Sequence, residues 1–148
     1  MHRSHLMLED LFHEIGSWLR RRRNRSLARR TSEWVRVEAV IREARPRLLN
    51  EIYSISLGRL FEWLPVVIYE YQVENTTYSG RAGGEIWYFD EQSAFDAAAS
   101  LVGASVPVRY DPSRPSKSFY LPQDGGPPQL NPAAPDASSG LVVISLKK

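Results

Sequence analysis

The chain has 148 residues, of which 43% are hydrophobic and 11% aromatic, a composition that suits one globular domain with extensions. It contains no cysteine, which excludes disulfides, thiolate nucleophiles and cysteine-ligated metal sites. The net charge of +2 conceals an asymmetry, because residues 1–30 carry +5 and the remainder carries −3. Any argument from charge to a polyanionic partner must therefore rest on the N-terminal segment.

Residues 5–30 have the pattern of an amphipathic helix. Apolar residues recur at spacings of three and four over residues 8–19, and acids precede arginines, as the helix dipole favours. We predict a polybasic helical arm over residues 1–31. The residues predicted to contact a membrane or another partner are Trp18, Arg20, Arg21, Arg22, Arg23 and Arg25.

The sequence predicts no transmembrane helix, since no run of about 18 apolar residues exists. The N-terminus also lacks the pattern of a secretory signal, because acids interrupt its apolar part and no small-residue cleavage site follows. We expect a cytoplasmic or peripheral membrane location.

From Trp34 the apolar period changes to two, and "WVRVEAVI" predicts a half-buried strand that ends at Pro46. Residues 47–64 fit either a short helix or a strand, and the alternation after Ile52 favours the strand. "VVIYEYQV" is the clearest strand of the chain. A turn at Glu74-Asn75, where Asn tolerates positive φ, leads to the returning strand "TTYSG", and "EIWYF" predicts a further strand.

Asp90 is predicted to cap a helix over about residues 91–102, whose buried face would be formed by Ala94, Phe95, Ala98, Leu101 and Val102. The runs "VPVRYD" and "SFYL" predict two more strands. Their inward residues would be Val106, Val108 and Tyr110 on the first strand, and Phe119 and Leu121 on the second. Between them, Asp111 is expected to form an Asx turn, with Pro112 and Pro115 fixing the connection.

Residues 122–139 are rich in proline, glycine and alanine, which indicates a linker or an ordered crossing of the surface. We predict a C-terminal strand or tail over residues 140–148. We therefore predict an α+β fold: an N-terminal amphipathic helix, then a small, mostly antiparallel β-barrel or curved sheet over residues 32–121. One helix is inserted between the third and fourth strands, which is an OB-like order.

Few residues of this sequence point to chemistry. All three histidines lie in the first thirteen residues, so the body has no histidine triad or histidine-rich metal site. "SGRAGG" lacks the Lys and Ser/Thr of a phosphate loop and lies between strands. The carboxylates of Glu70, Asp90, Glu91 and Asp111 are scattered. We predict no enzyme activity, and no catalytic, cofactor or metal site.

The strand aromatics suggest an alternative function. OB barrels stack single-stranded nucleic acid on exposed aromatic residues beside arginines, and this chain has tyrosines and a tryptophan on its strands. The negative net charge of the body argues against a nucleic-acid groove, so binding of another protein is preferred.

Three blocks, "SEWVRVEAVI", "IYEYQVENTTYSG" and "DEQSAFDAAASLVGASVPVRYDPSRPSKSFYL", resemble the bacterial family catalogued as domain of unknown function 3592. The resemblance covers about residues 32–121. Positions that carry the family pattern include Trp34, Tyr69, Tyr71, Val73, Tyr78, Gly80, Ala94, Val106, Val108, Tyr110, Asp111, Pro112, Pro115 and Leu121.

The resemblance implies a small β-rich domain, usually flanked by transmembrane helices, with no activity established for the family. This chain departs from that pattern, because its N-terminal helix is too charged to span a bilayer and "LVVISL" is too short. The expected function is a non-enzymatic interaction module that binds a protein, with an anionic membrane surface as a further partner and nucleic acid as the alternative.

Overall fold

The computed structural model describes residues 18–84, 86–127 and 130–132. The chain divides into two compact units, Met1–Glu33 and Trp34–Lys148. In the first unit, residues 18–30 form helix α1, which confirms the N-terminal helix, while the predicted helical residues 5–17 lie outside the described ones. Thr31 is the first residue after the helix, and its backbone N–H and hydroxyl donate to the carbonyl of Leu27 at 2.9 and 2.7 Å.

The second unit is mostly β-structure. Its described elements are β1 (Val35–Ala44), β2 (Arg47–Ser54), β3 (Gly58–Leu64), β4 (Val66–Val73), β5 (Thr76–Gly84), α2 (Glu91–Ala99), β6 (Ser105–Asp111), β7 (Arg114–Tyr120), a 3-10 turn (Pro122–Asp124) and β8 (Leu130–Pro132). Six strands form one sheet in the order β7-β6-β1-β4-β5-β8, with every pair antiparallel, and β2 and β3 form a separate two-stranded sheet.

The six-stranded sheet curls into a nearly closed barrel. Its middle strand β1 pairs with β4 on one side and β6 on the other, and the curvature brings β5 beside β7. If the β2–β3 hairpin and β8 are set aside, the strands run β1, β4, β5, then α2, then β6 and β7. The predicted barrel-like sheet with a helix after its third strand is therefore confirmed.

Alternation of side chains fills the barrel. On β1, Ala39 and Ile41 are fully buried, whereas Arg42 on the outer face is exposed. Neighbouring strands contribute the remaining interior residues: Val67, Tyr69, Tyr71, Ala82, Val106, Val108 and Tyr120. Helix α2 covers this core with two fully buried alanines, Ala94 and Ala98, whose small side chains allow a close approach.

The barrel closes through Tyr69 on β4. Tyr69 is directly paired with Gly80 on β5, and its hydroxyl forms a 2.8 Å hydrogen bond with the Ser118 hydroxyl on β7. A Cβ on Gly80 would collide with the Tyr69 ring and would lie 2.6 Å from Ser118 Oγ. Burial raises the pKa of Tyr69, so this hydroxyl stays protonated and keeps its hydrogen bond.

An ion pair fastens the chain after β7 to the outside of the barrel. Arg109 on β6 donates Nε–H and Nη2–H to the two carboxylate oxygens of Asp124, both at 2.7 Å. Both side chains are buried, with exposed fractions of 8% and 2%. The exposed Arg36 adds a third charge at 3.2 Å from Asp124. The segment predicted as a linker thus begins as an ordered crossing of the surface, and it continues into β8 beside β5.

Several local expectations were wrong. Helix α2 stops at Ala99, and Phe95 and Val102 of its predicted buried face are exposed. In the run "EIWYF", the described residues 86–89 contain an isolated bridge from Tyr88 to Trp63 in place of a strand. At the Glu74-Asn75 turn, the positive φ falls on Glu74.

Phe119 was predicted to face inward but lies on the outer face of β7. It pairs with Arg109 and stacks on Trp34, with ring centroids 5.6 Å apart, while Ser118 and Tyr120 point inward. The register slips at the end of β6, between Tyr110 and Asp111, so the phase of β7 cannot be extrapolated through the turn.

We expect Gly80→Ala to lower the free energy of unfolding by about 1–3 kcal/mol, the usual cost of an added methyl group in a packed core. The new Cβ would push against Tyr69 and Ser118 and reopen the contact between β5 and β7. Chemical denaturation measures the loss. Gly83→Ala on the same strand is the matched control, since its Cβ meets the flexible end of Leu64 at 3.3 Å. Equal losses in both variants would contradict this account.

We expect Asp124→Asn to destabilise the fold by about 3–5 kcal/mol, because it removes the counter-charge of a buried guanidinium. The comparison variant is Glu43→Gln, which breaks the exposed Arg45–Glu43 pair and should change stability by less than about 1 kcal/mol. Thermal or urea unfolding of the two variants measures these losses of stability. A small effect of Asp124→Asn would show that the Arg109 ion pair does not hold this segment.

Candidate interaction surface

The β2–β3 hairpin is the part of the barrel unit whose structure the sequence left open. Its strands pair from Arg47–Leu64 down to Ser54–Gly58, so strand structure begins well before Ile52. The register shifts between Leu48 and Asn50. The consecutive residues Leu48 and Leu49 at this bulge interrupt the alternation of apolar and polar residues that would have revealed the strand. Gly58, with φ +76°, takes the left-handed position after a three-residue turn.

The tip of this hairpin is apolar and exposed. Ile55 has 85% of its surface exposed and Leu57 has 73%. Turns normally use Gly, Asn, Asp, Ser or Pro, each of which helps the backbone to reverse. Two aliphatic side chains do not help a turn, and leaving them in water is unfavourable. The tip is therefore the clearest candidate for contact with another molecule.

The sides of the hairpin are fixed by contacts between its own strands. Arg59 forms an ion pair with Glu51 and lies over the rings of Tyr53 and Phe61, 5.9 and 5.3 Å from their centroids. The Tyr53 hydroxyl donates to Glu51 at 3.0 Å. On the other face, the Asn50 amide donates to Glu62 at 2.9 Å. These contacts connect the two strands that carry the tip.

A second exposed apolar group follows β5. Ile86, Trp87 and Phe89 are exposed, and the Trp87 and Phe89 rings meet edge to face at 4.9 Å. Tyr88 and Trp63 exchange backbone hydrogen bonds of 2.6 and 2.8 Å, which join this group to the base of the hairpin. The adjoining cavity has a volume of about 30 Å³, which is enough for a single water molecule. It is lined by Pro65, Val67, Gly84, Ile86, Tyr88, Ala97, Ala98, Leu101 and Leu130.

The residues of the family pattern converge inside the barrel. Tyr71 stacks on Tyr78 and Tyr110 with centroid distances of 5.8 and 6.0 Å, and its hydroxyl donates to the Pro115 carbonyl at 2.6 Å. Burial raises the pKa of Tyr71, which favours the protonated donor. Trp34 lies outside this cluster, where Lys117 is 5.8 Å from its ring centroid.

This placement bears on nucleic-acid binding. Of the aromatics expected to stack on bases, Trp87 is exposed and Tyr78 and Tyr88 are half-buried. Tyr69 and Tyr71 are buried, and Arg109 is engaged by Asp124. The exposed strand-face platform that such binding needs is therefore missing at these positions.

The scattered carboxylates have local structural partners. Glu70 pairs with Arg42 at 3.5 Å, and Asp90 caps α2 by accepting from the backbone N–H of Ser93 at 2.8 Å, as predicted. Among the residues that the structure describes, no three histidine or acidic side chains cluster as metal ligands would. The histidines themselves, His2, His5 and His13, lie outside the described residues.

The predicted contact residues of the arm are on α1. Trp18, Arg21, Arg22 and Arg25 are exposed, and Arg20 and Arg23 are half-buried. Desolvation lowers the pKa of Arg23. Arg22 lies 5.4 Å from the centroid of the Trp18 ring, a cation–π contact. In the described part of the chain, neither helix has the length and apolar content needed to cross a bilayer.

The turn between β6 and β7 has the Asx geometry predicted for Asp111. Its carboxylate accepts from the Ser113 backbone N–H at 2.9 Å and from the Ser113 hydroxyl at 2.7 Å. The hydroxyl and then the N–H hold the pKa of Asp111 below its ordinary value. The side chain of Asp111 thus stabilises the turn, and Pro112 is the next residue in it.

We expect Asp111→Ala to lower stability at neutral pH. The depressed pKa means that the carboxylate stabilises the fold fully above its unfolded pKa of about 3.9 and loses this effect as the pH falls further. The gap between wild type and variant should therefore shrink in acid, as followed by urea unfolding at pH 7 and at pH 3. Ser113→Ala should reproduce part of the loss and Ser116→Ala should not. A gap that is independent of pH would refute the charged Asx turn.

Comparison with known proteins places the chain in a family but adds no activity. No match was found among curated proteins or solved structures. Residues 37–125 match the family described as Domain of unknown function (DUF3592), which is more than half of the chain. The resemblance carried by the tyrosines of β4, the Tyr78–Gly80 return and the Tyr110–Pro115 block is thereby confirmed, and the chain belongs to this family.

Proposed function

We propose that this protein is a non-enzymatic interaction module that binds another protein through the tip of the β2–β3 hairpin. The observation that carries the proposal is the exposure of Ile55 and Leu57 at that tip, 85% and 73%. Exposed apolar residues that the local structure does not require are typical of protein contact sites.

The hairpin has the properties of a preformed anchor. Full burial of an Ile or Leu side chain stabilises a complex by about 1.5–3 kcal/mol. Because Arg59 ties Tyr53, Glu51 and Phe61 together, little conformational freedom remains to be lost when the tip is buried. The group Ile86, Trp87 and Phe89, joined to the hairpin base through the Trp63–Tyr88 bridge, offers additional apolar area.

The non-enzymatic part of the proposal is supported by the carboxylates, since Asp90 and Asp111 complete a helix cap and a turn. The alternative, binding of single-stranded nucleic acid on the strand faces, has weaker support because Tyr69 and Tyr71 are interior. Fluorescence anisotropy with labelled single strands tests that alternative, for which salt-dependent binding is the expected signature.

A photo-crosslinking amino acid in place of Leu57 should couple the full chain to a defined protein in extracts of the source cells. The same amino acid in place of Val102, an exposed apolar residue in the turn that follows α2, is the control and should not form a defined product. The product is identified by mass spectrometry and the partner is then purified.

Affinity measurements with the purified partner complete the test. Ile55→Ser with Leu57→Ser should weaken binding at least tenfold, about the effect of losing one buried aliphatic anchor. Phe95→Ser with Val102→Ser removes two exposed apolar side chains elsewhere and should leave the affinity unchanged. Unchanged binding by the hairpin variant, or equal cross-linking from both positions, would refute the proposed site.

A further inference from the structure

Helix α1 exposes a row of arginines along one face. Arg21, Arg22, Arg25 and Arg29 are all exposed, and together with Trp18 their spacings of three and four place them on the same side of the helix. The opposite side carries the buried Leu27 and the half-buried Arg20 and Arg23. Four of the seven arginines of residues 18–30 thus lie on one face of the helix.

Within the part of the chain that the structure describes, no carboxylate pairs with the arginines of this row. Residues 18–30 contain seven arginines and no acid. No ion pair of Arg21, Arg22, Arg25 or Arg29 with a carboxylate is present among the described residues. Like charges one turn apart repel each other on a helix, so an external anion that lies along this face would stabilise it.

Trp18 and Leu19 indicate which kind of polyanion fits. Their side chains are exposed at the N-terminal end of the row, 48% and 52%. A nucleic-acid duplex, whose bases are already stacked, would be held through its phosphates by the guanidinium groups alone. A bilayer surface accepts both features, because headgroup phosphates bind the arginines while the interfacial region takes up an aromatic and an aliphatic side chain.

We propose that the face of α1 formed by Trp18, Arg21, Arg22, Arg25 and Arg29 binds an anionic phospholipid surface. The arginines contact headgroup phosphates, and Trp18 lies in the interfacial region beneath Arg22, which already packs over its ring at 5.4 Å. This proposal concerns the unit Met1–Glu33, whereas the hairpin belongs to the unit Trp34–Lys148.

Sedimentation of the full chain with vesicles of phosphatidylcholine containing phosphatidylserine tests the proposal. Wild type should bind these vesicles, should bind pure phosphatidylcholine far less, and should dissociate as salt is raised. Arg21→Gln with Arg25→Gln should lower partitioning about 30-fold, since each basic residue near an anionic surface contributes about fivefold.

The matched control is Arg20→Gln with Arg30→Gln, which removes the same net charge at positions outside the row. It should lower partitioning less than about fivefold, because the four arginines of the row remain on the surface. Gln has a helix propensity close to that of Arg, and circular dichroism verifies that α1 is retained. Equal losses in the two double variants would overturn the assignment of this face.

A second comparison separates lipid from nucleic acid. Trp18→Ala should weaken vesicle binding without changing its salt dependence, because it removes apolar contact and no charge. A labelled 20-base-pair duplex measures phosphate binding without an apolar phase. Tighter binding to the duplex than to vesicles, or vesicle binding unaffected by Trp18→Ala, would overturn the lipid proposal.

Discussion

The barrel depends on the contact between Tyr69 and Gly80. The ring of Tyr69 occupies the space above a residue without a Cβ, and its hydroxyl reaches Ser118 on β7 at 2.8 Å. The consecutive strands β4 and β5 are thereby joined at one point to β7, which comes much later in the chain. An unpaired hydroxyl at this depth would be costly, so Ser118 contributes to closure as much as the missing side chain of Gly80 does.

Closure explains how the tyrosines of the family pattern come together. Once β5 lies beside β7, Tyr71 can stack on Tyr78 and Tyr110 and donate to the Pro115 carbonyl. These residues come from separate blocks of the sequence and meet only inside the closed sheet. Their side chains are occupied with each other, which leaves the surface elements to carry any interaction. The most exposed of these elements is the hairpin, which is outside the six-stranded sheet.

The barrel unit and the arm also differ in how their charges are paired. In the barrel unit, Asp124 is buried against Arg109 and lies close to Arg36, so this acid holds the chain to the barrel wall and is not available to a partner. The arm contains the opposite arrangement, with arginines and no acids over residues 18–30. The arginines of residues 18–30 thus have no acid within their own segment, whereas the barrel unit pairs its buried arginine internally.

The sequence by itself determined the features that depend on near neighbours. The period of two predicted β1 and β4, Asp90 capped α2 through a residue three positions away, and Asp111 formed its turn with Ser113. These hydrogen bonds and alternations need only a few consecutive residues. Tertiary structure decided three features: the β2–β3 hairpin, the outward orientation of Phe119, and the exposure of Ile55 and Leu57. In the hairpin, a bulge had obscured the apolar period of two. Burial depends on contacts with residues far away in the chain, and no local sequence pattern predicts which side chains remain exposed to solvent after those contacts form.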